Sequence, residues 1–191
     1  KARNRFRTPV AGLLSKDIEK LEQTFRQTGQ FTPEVFKILN NAAADSIYEG
    51  IYFIPANTAD CQNIDLFLKY ESSGNRFIRA EGDNEIICDG MGMARTRMRV
   101  LMEEYNYNNK IIFDTHRSMT IALVNLNDDS VFGYLTMPTN LEYLTNHYLQ
   151  PTLEQKFGSE QNSGITVWLR DWTKEKTIAS SDRSVEYDRQ K

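Results

Sequence analysis

The chain has 191 residues, 40% of them hydrophobic, enough to bury a core in one sizeable domain or two small ones. Its net charge of -3 and pI near 5.5 exclude binding through a broad positive field, and with it nucleic acid or an anionic membrane surface as a general partner. No window approaches the about 20 apolar residues of a membrane span, and no apolar core of a signal peptide lies near the start. The opening "KARNRFR" carries four basic residues and no initiator methionine, and the closing "SSDRSVEYDRQK" is polar with no stop signal, so both ends read as cut from a longer protein.

Ile18, Leu21 and Phe25 recur at helical spacing after Ser15, and Gly29 stands where a glycine ends a helix, so the first element is a helix. "TPEVFKILNNAAA" supplies Thr32 as N-cap, Pro33 as first helical residue and Val35, Phe36 and Leu39 as an apolar face, which gives a second helix or a bent continuation. "SIYEGIYFI" is rich in β-branched and aromatic residues and is closed by Pro55, as a strand would be. In "IDLFLKY", Ile64, Leu66, Leu68 and Tyr70 alternate with Asp65, Phe67 and Lys69, the pattern of a half-buried strand. "ESSGN" and "EGDN" are turns on either side of "RFIRA", and "EIICDG" is short, apolar and β-branched, so the region is expected to be a meander with "EIICDG" as a strand.

From Met91 the pattern becomes helical. Met98, Leu101, Met102 and Tyr105 share one face, while Arg95, Arg99 and Glu103 follow at four-residue steps on another, with the arginines expected to face outward. After the break at "YNYNNK", "SMTIALVNL", "SVFGYLTM" and "GITVWLRDW" read as strands, with "NDD" as a tight turn between the first two. Thr139 and Glu142 form a capping box for a helix carrying Leu141, Leu144 and Tyr148, and Pro151 either kinks that helix or begins a new one that stops at Gly158. The order of elements predicts an α+β fold with a long N-terminal helical stretch and a mostly antiparallel sheet.

The chemistry legible in the chain is sparse. Its two histidines, His116 and His147, lie in no catalytic motif, and a serine-hydrolase elbow, a P-loop, a dinucleotide fingerprint and HExxH are all missing from the sequence. "GMGMAR" reads as an ordinary turn from strand to helix, the alternative being an anion held on its N–H groups. Cys61 and Cys88 lack the further cysteines or histidines of a zinc site. They are either two buried thiols or a disulfide between neighbouring strands, and the second would imply an oxidising compartment. Trp168 and Trp172 are read as core filling. No catalytic residue, metal or cofactor is expected.

The stretch from Thr120 to Asp182 resembles the later half of the extracytoplasmic sensor domains of bacterial membrane histidine kinases. The residues that carry the likeness are Phe132, Gly133 and Tyr134, then Leu141, Leu144, Leu149, Pro151, Leu153, Phe157 and Gly158 in a helix of the form "xxxLxxxxLxPxLxxxFG", and Ser180, Ser181 and Asp182 at the end. "LSKDIEKLEQTF" and "DSIYEGIYFI" are similar to the membrane-proximal helix and first core element of such domains. A second similarity is to the CSS-type periplasmic sensors of cyclic-di-GMP phosphodiesterases, carried by the stretch from Cys61 to Cys88, where "CDG" replaces the serines after the second cysteine.

The resemblance implies a PAS-like or Cache-like sheet with a long N-terminal helix. Residues 1–46 would be a membrane-proximal helical segment and 47–191 the sensor core, a single domain overall. It implies a periplasmic segment of an inner-membrane protein, attached through flanking spans, with an unknown small molecule or periplasmic protein as ligand and a homodimer as its assembly. Enzymatic output would belong to the parent protein, a histidine kinase or a cyclic-di-GMP enzyme. The pocket would lie between the sheet and the loops and helix after its second strand, which brings in Arg95, Arg97, Tyr105, Tyr107, His116 and Arg117. A disulfide between Cys61 and Cys88 would suit that compartment. The alternative is a self-contained periplasmic or secreted binding or adaptor protein.

Overall fold

Gly29 breaks the N-terminal helical stretch in two. Its φ of 66° is left-handed, and its N–H donates to the Phe25 carbonyl at 2.7 Å, so α1 (residues 19–28) ends where a residue with a Cβ would be strained. The computed structural model describes residues 19–57, 67–80, 85–103, 112–114, 117–125, 130–157, 165–171, 176–184 and 187. Helix α2 (Pro33–Ala44) starts as its sequence dictates, with the Thr32 hydroxyl accepting the Val35 N–H at 3.3 Å and Pro33 in the first turn. The long N-terminal helix implied by the resemblance is thus two helices among the described residues, and the chain before residue 19 lies outside them.

Contacts divide the chain into two compact units, Lys1–Thr139 and Asn140–Lys191. The first holds β1 (Tyr52–Pro55), β2 (Leu68–Glu71), β3 (Arg76–Arg79), α3 (Glu85–Glu103), β4 (Ile112–Asp114), β5 (Ser118–Asn125) and β6 (Ser130–Pro138). The six strands form one sheet in the order β3-β2-β1-β6-β5-β4, with every pairing antiparallel. The α+β expectation with an antiparallel sheet is met.

Alternation along the strands gives the sheet two buried faces. Met119, Ile121 and Leu123 of β5, Leu135 and Met137 of β6 and Phe53 of β1 pack against Leu21 and Phe25 of α1 and Val35, Ile38 and Leu39 of α2. On the other face Ala122 and Val124, Tyr134 and Ile54 pack against Ile87, Met91, Ala94, Met98 and Leu101 of α3. Because both faces are covered, Phe67 is fully buried against the α3 side instead of facing solvent, and the half-buried reading of "IDLFLKY" is corrected there. Residues 61–66 and the turn between β5 and β6 lie outside the described residues.

"EIICDG" is the first turn and a half of α3 and not a strand. Its β-branched run suits either state; the helix wins because Ile87, Gly90, Met91 and Ala94 place one small-to-medium apolar face on the sheet at helical spacing. "GMGMAR" is therefore helix interior, which corrects its reading as a turn.

The second unit is a helical run followed by a two-stranded sheet. Helix α4 (Leu141–Leu144) passes through a π-helical turn (Thr145–Leu149) into α5 (Gln150–Phe157), and β7 (Trp168–Asp171) pairs antiparallel with β8 (Lys176–Ser180). The N-cap is Asn140, whose Oδ1 accepts the Tyr143 N–H at 3.0 Å, and not Thr139. Pro151 neither restarts nor ends the helix. It follows the wider π turn, in which the Gln150 N–H reaches the Thr145 carbonyl, an arrangement that relieves the clash a proline ring makes with an ordinary helix.

Candidate functional site

The expected pocket lies along the seam between α3 and the sheet. Its floor is a patch of hydroxyls. Ser118 and Thr120 of β5 and Thr136 of β6 are buried, and the Thr120 and Thr136 hydroxyls meet at 3.1 Å. Gly90 sits on this patch. A Cβ there would stand 2.6 Å from Ser118 Oγ and 2.7 Å from Thr120 Oγ1, so only glycine lets the helix approach so closely. Two residues earlier Cys88 is disulfide-bonded, and Cys61 is the only other cysteine in the chain.

Farther along the seam Ala94 and Met98 cover Ala122, Val124 and Tyr134. Burial pushes the Tyr134 hydroxyl above its usual pKa, and the positive charge of Arg95, an exposed residue of α3, opposes that shift. Arg117, just before β5, lies 4.0 Å from Glu85 at the start of α3, a contact too long and too exposed to contribute much.

The structure therefore brings Arg117 to Glu85, and it sets Arg95 within electrostatic range of Tyr134. It does not bring Arg95 and Arg97 together, because residues two apart on a helix point to opposite sides, and Arg97 is exposed. Tyr105, Tyr107 and His116 lie outside the described residues, as does Cys61. The outward reading of Arg95 and Arg99 holds, since both are exposed.

Two shallow depressions lie on the other side of the sheet, along α2. One, of about 360 Å³, is bounded by Lys20, Pro33, Glu34, Lys37, Ile38 and Asn41; the second, of about 320 Å³, by Pro33, Phe36, Lys37, Asn40 and Asn75. Asn75 belongs to a network in which its Oδ1 accepts from Tyr70 Oη and Asn40 Nδ2 at 3.0 and 2.8 Å, joining α2 to the turn between β2 and β3.

In the second unit His147 is exposed, stacked on Tyr143 at 4.1 Å, with Nδ1 3.2 Å from the Tyr143 carbonyl. Trp168 is half-buried and packs edge-on against Tyr187, over which the Arg170 guanidinium lies at 3.9 Å. Ser180, Ser181 and Asp182, carried into the resemblance as a motif, close the unit's backbone. Ser181 Oγ accepts the Val167 N–H at 2.9 Å, and Ser180 Oγ donates to the Asp182 carbonyl at 2.7 Å.

Among the described residues there is no group of three His, Cys, Asp or Glu side chains placed to hold a metal, and no helix long and apolar enough to cross a membrane. Sequence reasoning missed the hydroxyl patch because Ser118, Thr120 and Thr136 sit in otherwise apolar strands, where a small polar residue has no periodic signature of its own. Compared with known proteins, the chain matches no family model and no curated sequence.

Proposed function

We propose that the chain is the extracytoplasmic ligand- or partner-sensing domain of a membrane-bound bacterial signalling receptor of the histidine kinase class, with a PAS-like or Cache-like core. The observation that carries this reading is the seating of α1 on the sheet. Leu21 and Phe25 are buried among residues of β1, β5 and β6, so a rearrangement of those strands is felt by the N-terminal helix. A ligand or partner that prefers one arrangement of the sheet would then shift α1 and whatever is attached before it.

Two further observations support the reading. Helix α3, which follows β3, packs on the sheet, and the resemblance places a binding site between the sheet and the loops and helix after the second strand; Arg95 and Arg117 lie along that seam and Arg97 is turned away from it. The disulfide at Cys88 suits an oxidising compartment, since such bonds rarely persist in a reducing cytosol.

The test is a fusion of the parent protein, truncated after Lys191, to a phosphatase that is active only outside the cytoplasm. Activity in intact bacteria is the expected result; an inactive, cytoplasmic fusion contradicts the proposal.

A further inference from the structure

Phe132 is the one residue of β6 without a partner across β5. Leu123 pairs with Gly133 and Val124 with Val131, so Phe132 is the extra residue of a bulge, and its carbonyl accepts the Ala56 N–H on the β1 side at 3.2 Å. The bulge turns its ring toward α1, 5.5 Å from Phe25 and 5.6 Å from Phe53. Gly133 makes room for this arrangement, because a Cβ there would stand 2.5 Å from the Phe53 ring and 2.7 Å from the Ile54 carbonyl. Phe31, from the link between α1 and α2, packs against Phe25, Phe53 and Phe132 together. Unlike Phe25, which is fully buried, Phe132 is 42% exposed.

We infer that the Phe132 bulge is a latch between the β5–β6 hairpin and α1, with two discrete positions. Side chains alternate with a period of two along a strand, so removing the bulge, with Phe132 taking the place of Val131 opposite Val124, turns the ring to the α3 face and out of contact with Phe25. The helix then loses one of its aromatic contacts with the sheet, while Leu21 stays in the core. A contact that is more than a third exposed is suited to this, because it can be broken without opening the core around it. Its use as a signalling step rests on the sensor reading above; the latch itself does not.

The experiment is amide hydrogen exchange on the isolated chain, comparing the natural sequence with Phe132→Ala and Phe132→Leu. The latch predicts that Phe132→Ala speeds exchange in residues 19–28 by about tenfold with α2 and α3 unchanged, and that Phe132→Leu, which keeps an apolar contact, restores most of the protection. Unchanged protection of residues 19–28 in Phe132→Ala overturns the proposal. So does an equal loss across the whole first unit, or failure of the variant to fold, since Phe132 is then an ordinary core residue. None of these outcomes bears on the cellular location of the chain, so the latch can fail while the sensor reading stands.

Discussion

The side-chain amide of Gln150 is held at both ends by the backbone of Ser180. Nε2 donates to the Ser180 carbonyl at 2.6 Å and Oε1 accepts the Ser180 N–H at 3.1 Å, so the glutamine completes β8 as a neighbouring strand would. Gln150 is buried, and among the described residues of the second unit the buried apolar side chains are Leu144, Leu153 and Ala179. Gln150→Ala strands a buried N–H and a buried carbonyl and is expected to cost about 1–3 kcal/mol. Gln150→Glu is expected to cost more, since it removes the donor and sets a second carboxylate beside Glu154, the other acceptor of Nε2. Both tryptophans of the chain, Trp168 and Trp172, belong to this unit, so tryptophan fluorescence during urea unfolding reads the loss directly.

The two glycines of α3 predict opposite outcomes for the same substitution. At Gly92 a Cβ meets nothing within 4 Å, so Gly92→Ala should stabilise by up to about 1 kcal/mol through helix propensity alone. At Gly90 the same methyl is driven into Ser118 and Thr120, and the expected result is a net loss of about 1–3 kcal/mol. Urea midpoints followed by far-ultraviolet circular dichroism separate the two signs.

Cys88→Ala, or reduction of the natural chain, should lower stability by about 2–4 kcal/mol if the bond closes the link between β1 and α3. Thermal unfolding with and without a thiol reductant measures it. An unchanged melting temperature would remove the compartment argument from the proposed function.

Acid should loosen the second unit first. Hydrogen bonds from the Ser184 hydroxyl and N–H hold Asp182 below its ordinary value of 3.8, and one from Gln150, aided by Arg183, holds Glu154 below 4.5. For both, the folded-state pKa lies under the unfolded one. Their stabilisation is complete above those ordinary values and is lost as pH falls through the depressed ones. Glu22 runs the other way: burial raises its pKa despite the neighbouring Arg26, so its contribution favours folding at low pH and is lost as pH rises through the raised value. An acid titration followed by tryptophan fluorescence should show a transition in the second unit that Ser184→Ala moves to higher pH.

The helices and strands with clean signals were legible in the sequence. Thr32 and Pro33 opened α2, Gly29 closed α1, and the β5–β6 hairpin followed from two long runs of β-branched and aromatic residues. "EIICDG" misled because a helix face that packs on a sheet can be as β-branched as a strand, and what distinguishes them is the close approach at Gly90, a tertiary fact. Thr139 lost the capping role to Asn140, one residue on, because either side chain can accept the orphan N–H. The site was legible only as residue types. Arg117 meets Glu85 and the charge of Arg95 acts on Tyr134, residues from elements that no spacing rule connects to them.

The central claim, a sensing domain set between membrane anchors, is tested most directly by reading the parent gene on both sides of Lys1 and Lys191. A sensing domain so placed is flanked on each side by an apolar stretch of about 20 residues and followed, after the second, by a cytoplasmic kinase or cyclic-nucleotide module. A cleavable signal peptide before Lys1 and a stop codon close to Lys191 would contradict it and leave a self-contained exported binding protein.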